Sequence, residues 1–151
     1  MICNRIFAWV VFGLLLVSES STLVHHAHAG DDDIIEGVAA VIDAGTIQID
    51  DKVIKLHGLV VPSARQKCKR GSLPWLCGAA ARKHLVDLAQ GQTVRCLRVG
   101  AYHARCFADG TNLSESVVRN GWAVPDKSGA VYREDEDLAR REKLGMWKYA
   151  D

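Results

Sequence analysis

The stretch VIDAGTIQIDDKVIKLHGLVVP, residues 41–62, decides the fold. It follows a run from Ile34 that is rich in β-branched residues, and Ala44-Gly45 breaks that run as a turn. Residues 46–50 then alternate polar and apolar with period 2, Asp51-Lys52 turns again, and 53–61 reads as a third strand closed by Pro62. Three strands joined by short turns make a meander.

Outward from this core the period changes. Residues 63–75 carry Gly71, Ser72 and Pro74 and read as irregular. From 78 to 90 the small and apolar residues Ala80, Ala81, Leu85, Leu88 and Ala89 recur at helical spacing with His84 among them, and Gly91 stands where a helix ends. Two further strands, 93–98 and 103–108, flank a turn near Gly100-Ala101. Asn112 is placed to cap a helix over 113–120 that Gly121 ends; Trp122-Ala123-Val124 is extended, and a last helix spans 132–144. Five strands with a helix after the third predict a five-stranded OB-type barrel with three helices.

The N-terminus reads as an export signal over residues 1–29: Arg5, an apolar run over 6–17, then Ala27-His28-Ala29 with small residues at −3 and −1. The competing reading is a retained anchor. As a helix that apolar run reaches about 18 Å, short of the roughly 30 Å hydrocarbon core. Residues 30–37 are expected to form a mobile lead-in and 38–148 the barrel domain, so that no membrane span remains after cleavage and the product is secreted or periplasmic. Nineteen Lys and Arg against eighteen Asp and Glu leave a net charge of +1, which gives no bulk attraction to nucleic acid.

Loss of the signal removes Cys3 and leaves Cys68, Cys77, Cys96 and Cys106, an even set that suits disulfides in an exported chain. A four-cysteine zinc site would show close C-x₂₋₄-C pairs, and these spacings do not. Cys96 and Cys106 lie equally far from a turn centred on Ala101, and Cys68 and Cys77 bracket the irregular segment before the first helix. The expected bridges are therefore Cys68–Cys77 and Cys96–Cys106.

The order of several short motifs resembles the staphylococcal-nuclease (thermonuclease) family. Val41 to Ile47 resembles its "V-x-D-G-D-T" turn, and Lys55 to Pro62 its "R-L-x-G-I-D-x-P-E" strand. Cys77-Gly78-Ala79-Ala80-Ala81-Arg82 is similar to the start of its first helix, and Gly91 to Cys96 to the strand after it. Ala104 to Glu115, Val117 to Ala123 ("L-V-R-x-G-W-A") and Glu142 to Trp147 ("G-L-W") complete the series over about 38–148. The cysteine positions also resemble those of exported bacterial members.

The resemblance implies a calcium-dependent phosphodiesterase whose metal carboxylates, catalytic glutamate and two arginines stand at defined places. This chain departs at all five. Gly45 and Val60 occupy the metal positions, Ser63 that of the glutamate, and Lys55 and Ala101 those of the arginines. Lys55 keeps a charge without the bidentate fork, and neither glycine nor valine ligates calcium. The expectation is that the chain holds no calcium or other cofactor and is a pseudonuclease. It would bind a protein or oligonucleotide through the former groove, near Lys55, His57, Arg98, His103 and Arg105. The alternative is a weak or metal-altered phosphodiesterase acting on DNA or RNA.

Overall fold

The computed structural model describes residues 33–150. The expected signal segment, 1–29, lies outside the described residues. In chain order the elements are β1 (Ile34–Asp43), β2 (Thr46–Ile49), β3 (Lys52–Leu56), β4 (Leu59–Val60), β5 (Cys68–Arg70), β6 (Leu73–Trp75), α1 (Cys77–Ala89), β7 (Thr93–Arg98), β8 (His103–Ala108), β9 (Thr111–Asn112), α2 (Leu113–Arg119), β10 (Val124–Pro125) and α3 (Arg133–Arg141). Tight 3-10 turns cover Ala130–Tyr132 and Gly145–Tyr149.

The barrel strands run in the order β3-β2-β1-β7-β8, and β8 returns to pair with β3 in parallel. That closure makes a five-stranded OB-type barrel, with α1 bridging the third and fourth barrel strands. β1 serves two neighbours. Its first half pairs with β7, from Ile34 opposite Leu97 to Val38 opposite Thr93; its second half pairs with β2. Gly37 lies near the end of the first half, opposite Val94, where a Cβ would lie 2.7 Å from Ile49 Cγ2. Only glycine lets the strand pass that close. The barrel therefore begins at Ile34, not at residue 38. Residues 34–37 are not a mobile lead-in, because Ile35 is buried opposite Cys96 and its neighbours complete the ladder to β7.

The expected third strand breaks at Leu56. Gly58 takes φ +84°, a left-handed conformation in which a strand cannot continue. The chain then leaves the barrel as β4 and pairs with β10, Val60 opposite Val124. Residues 63–75 are more regular than expected, since β5 and β6 form a hairpin around Gly71-Ser72. The last helix is shorter than 132–144; Lys143 and Gly145 both take φ +53°, which stops it at Arg141.

The core is built from the inward face of each strand and one stripe of each helix. Ile47, Ile49, Leu85, Val94, Leu113, Val117 and Val118 are completely buried. α1 shows its stripe plainly: Ala81, Leu85 and Ala89 recur every fourth residue and face the barrel. Truncating a side chain such as Leu85 to alanine costs about 2–5 kcal/mol. Both disulfides form as expected. Cys96 and Cys106 are directly opposed in the β7–β8 register with Cα atoms 4.0 Å apart, and Cys68–Cys77 closes the hairpin with Cα atoms at 5.6 Å. No described helix is long and apolar enough to cross a membrane.

Candidate functional site

The β1–β2 turn is held from three sides. Asp43 Oδ1 accepts the Gly45 N–H at 2.8 Å, and the Gly45 carbonyl accepts the Leu56 N–H at 2.8 Å. From α1, the Arg82 guanidinium donates to the carbonyls of Ile42 and Val41 at 3.0 and 3.1 Å. This fixed turn forms one wall of a cleft of about 220 Å³, lined by Asp43, Gly45, Thr46, Lys55, Leu59 and Val61.

A larger cleft of about 340 Å³ lies at the β7–β8 turn. Arg98, Ala101, Tyr102 and His103 line it, together with Asp51 from the β2–β3 turn and Lys52 at the start of β3. Arg98 donates to the Ala101 carbonyl at 3.1 Å, which orders the turn. The parallel β3–β8 ladder ties the two clefts together: Lys55 stands opposite His103, and its N–H donates to the Tyr102 carbonyl at 2.8 Å.

The positions singled out by the resemblance are thus divided. Gly45 and Lys55 share the smaller cleft, whereas Arg98, Ala101 and His103 share the larger one. Val60 and Ser63 line neither. Val60 is exposed on β4, and the Ser63 carbonyl accepts the Gln66 N–H at 2.9 Å. Arg105 lies exposed on β8, two residues beyond His103. His57 is half-buried, its N–H on the Ala104 carbonyl at 3.0 Å and its own carbonyl accepting from Ser114 Oγ at 2.9 Å.

The residues present do not fit a calcium site. Asp43 supplies the only carboxylate in the smaller cleft, and one of its oxygens already serves the turn. A Cβ at Gly45 would come within 2.9 Å of Val61 Cγ1, so a carboxylate could not be placed there without moving Val61. Calcium takes six to eight oxygens. Among the described residues no three His, Cys, Asp or Glu side chains gather in a metal-holding group.

Among the described residues two titratable groups are clearly shifted. Hydrogen bonds from Ser128, chiefly its hydroxyl at 2.6 Å, hold the Asp126 carboxyl below its usual range; the Gly129 N–H and the nearby His57 act in the same sense against slight desolvation. His84 packs against Trp122, ring centres 6.3 Å apart, and burial pushes its pKa down despite opposing contributions from Ser116 and Asp87. It is a packed helix-face histidine, as its spacing suggests.

Two features escaped the sequence reading. Asp126 caps its own turn beside His57, and an Asp-Lys-Ser-Gly run at 126–129 was the available signal. Trp75 meets Trp122 and Tyr149 edge-on at 6.3 and 6.1 Å, with the Arg70 guanidinium 5.0 Å above Tyr149. No local pattern announces a cluster drawn from segments so far apart.

No protein-family model matches the chain. It is 30% identical over 132 residues to the succinoglycan biosynthesis protein ExoI of Rhizobium meliloti (strain 1021), covering 80% of this chain and 68% of that protein. Over that span and at that identity, the chain belongs to the family of ExoI, the succinoglycan biosynthesis protein.

Proposed function

We propose that this chain is an exported, non-catalytic binding module on a thermonuclease-like barrel, with an extended anionic ligand lying across the outer edge of β3 and β8. One observation carries the reading: the acids a phosphodiesterase needs are replaced at Gly45, Val60 and Ser63, while exposed cations stand on β3 and β8 at Lys55 and Arg105, with half-buried Arg98 beside them on β7. OB-type barrels commonly take oligonucleotides or oligosaccharides on the face of the second and third strands and the loops beside it, here β2 and β3 with the β1–β2 and β7–β8 turns that Lys55 and Arg98 adjoin. Cations track a polymer's charges, and exposed Tyr102 offers a stacking face. The two disulfides support secretion or a periplasmic location, since such bonds persist in oxidising compartments, and the apolar run at 6–17 supports a cleaved signal.

The choice of polymer is carried by two different facts. The likeness to thermonuclease motifs favours a single-stranded oligonucleotide. The relative's part in succinoglycan biosynthesis, as its name states, favours a polysaccharide. Fluorescence anisotropy with a labelled single-stranded oligonucleotide and a labelled acidic oligosaccharide separates the two, and Lys55→Glu with Arg105→Glu should abolish whichever is bound. Binding unchanged in that variant would remove the β3–β8 edge as the site. Cleavage of single-stranded DNA or RNA in calcium or manganese would instead establish the phosphodiesterase.

A further inference from the structure

The near-neutral total charge hides a separation along the chain. Residues 52–108 carry eleven Lys and Arg against one acid, Asp87, and residues 52–86 carry no acid at all. Asp87 is itself paired with Lys83 at 2.7 Å. The densest cationic run, Arg65, Lys67, Lys69 and Arg70, leads into the β5–β6 hairpin. Among the described residues none of these four side chains is paired with a carboxylate.

The other arm of the same hairpin is apolar: Leu73, Pro74, Trp75 and Leu76. Leu73 is 66% exposed and Leu76 52% exposed, so neither belongs to the core. The hairpin is nevertheless held firmly. Cys68–Cys77 closes its base, Trp75 packs edge-on against Trp122 and Tyr149, and Arg70 lies over Tyr149. A rigid loop presenting leucines among unpaired cations has the composition of an interfacial contact. Apolar side chains reach the acyl boundary while Lys and Arg meet anionic headgroups.

We propose that the Cys68–Cys77 hairpin is a membrane-surface contact, seating Leu73 and Leu76 at the boundary of an anionic lipid leaflet with Arg65, Lys67, Lys69 and Arg70 against the headgroup phosphates. A soluble polyanion would use the cations but leave the leucines unexplained. Sugars and bases stack on open aromatic faces, and Trp75 is half-buried against Trp122 and Tyr149. This contact does not depend on what the β3–β8 edge binds.

The test uses oxidised protein as recovered from its host, with its N-terminus determined by mass spectrometry and every variant made in that same form. Co-sedimentation is measured with phosphatidylcholine vesicles and with equimolar phosphatidylcholine–phosphatidylglycerol vesicles. Binding should favour the anionic vesicles by at least about tenfold and weaken with salt. Arg65→Gln, Lys67→Gln and Lys69→Gln together should weaken it by on the order of a hundredfold, from about fivefold per surface cation. Leu73→Ser with Leu76→Ser should weaken it by at least about tenfold with Tm little changed, since both side chains are more than half exposed. No vesicle binding, equal binding to the two lipids, or binding kept by the leucine variant would each overturn the proposal. Capture of an acidic polysaccharide or oligonucleotide by this hairpin, without vesicle binding, would overturn it in favour of a soluble polyanion.

Discussion

The hydroxyl of Ser114, completely buried, donates at 2.9 Å to the carbonyl of His57, the residue at which the chain turns out of β3. This single bond joins α2 to the edge on which the candidate site is built. Ser114→Ala leaves the carbonyl of half-buried His57 without that partner, and losing such a hydrogen bond costs about 0.5–1.5 kcal/mol. Urea denaturation should show a loss in that range. Faster amide exchange at His57 and Gly58 should accompany it.

Asn112 accepts the Glu115 N–H at 3.3 Å through Oδ1 and donates to the Tyr132 hydroxyl at 3.3 Å through Nδ2. The first bond caps α2 and the second ties the cap to the 3-10 turn before α3. Asn112→Ala should cost about 1 kcal/mol from the cap alone. Asn112→Asp keeps the cap and should recover most of that loss, measured by thermal unfolding.

Gly45 is packed under Val61, so Gly45→Asp should destabilise the fold by about 1–3 kcal/mol through overpacking. Combined with Val61→Ala it should cost less than the two single changes summed, and a double-mutant cycle in urea reads that coupling directly. Gly45→Asp alone should confer no calcium binding by calorimetry, because Val60 and Ser63 still contribute no carboxylate.

Burial depresses His84, so the unfolded chain takes up its proton more readily than the folded one. Its contribution to stability is therefore complete above the unfolded value of 6.5 and declines as pH falls from there toward the lower folded pKa. The urea midpoint should be lower at about pH 5.5 than at about pH 7.5, within the range where histidine titrates. His84→Gln cannot titrate and should narrow that difference.

Cys96–Cys106 is a core bridge between paired barrel strands, whereas Cys68–Cys77 closes a surface hairpin. Removing either releases a loop worth about 2–3 kcal/mol in the chain-entropy model. Cys96 and Cys106 are both completely buried, whereas of the hairpin pair only Cys77 is, so Cys96→Ala with Cys106→Ala should leave more buried space and lower Tm further than the hairpin pair. Non-reducing peptide maps should give Cys68–Cys77 and Cys96–Cys106 and no crossed product.

The local residues determined what repeats over short distances. Period-2 alternation and the Ala44-Gly45 turn gave the first strands, although the second turn falls at Asp50-Asp51 and not at Asp51-Lys52; the stripe of Ala81, Leu85 and Ala89 gave α1, and Asn112 gave the α2 cap. Equal spacing of Cys96 and Cys106 about Ala101 gave their pairing, because an antiparallel ladder around a centred turn leaves little choice. Tertiary structure alone decided that β3 stops at Leu56, that Lys55 meets His103, that Val60 meets Val124, and that the expected site positions split between two clefts with Val60 and Ser63 outside both. These are pairings between segments tens of residues apart, set by barrel closure and by the close approach of Gly58 to Gly129, where a Cβ would lie 2.7 Å from the Gly129 Cα. A strand's own residues state which face is apolar. Which partner covers that face, and where the strand must bend to meet it, depends on every other strand in the closed sheet.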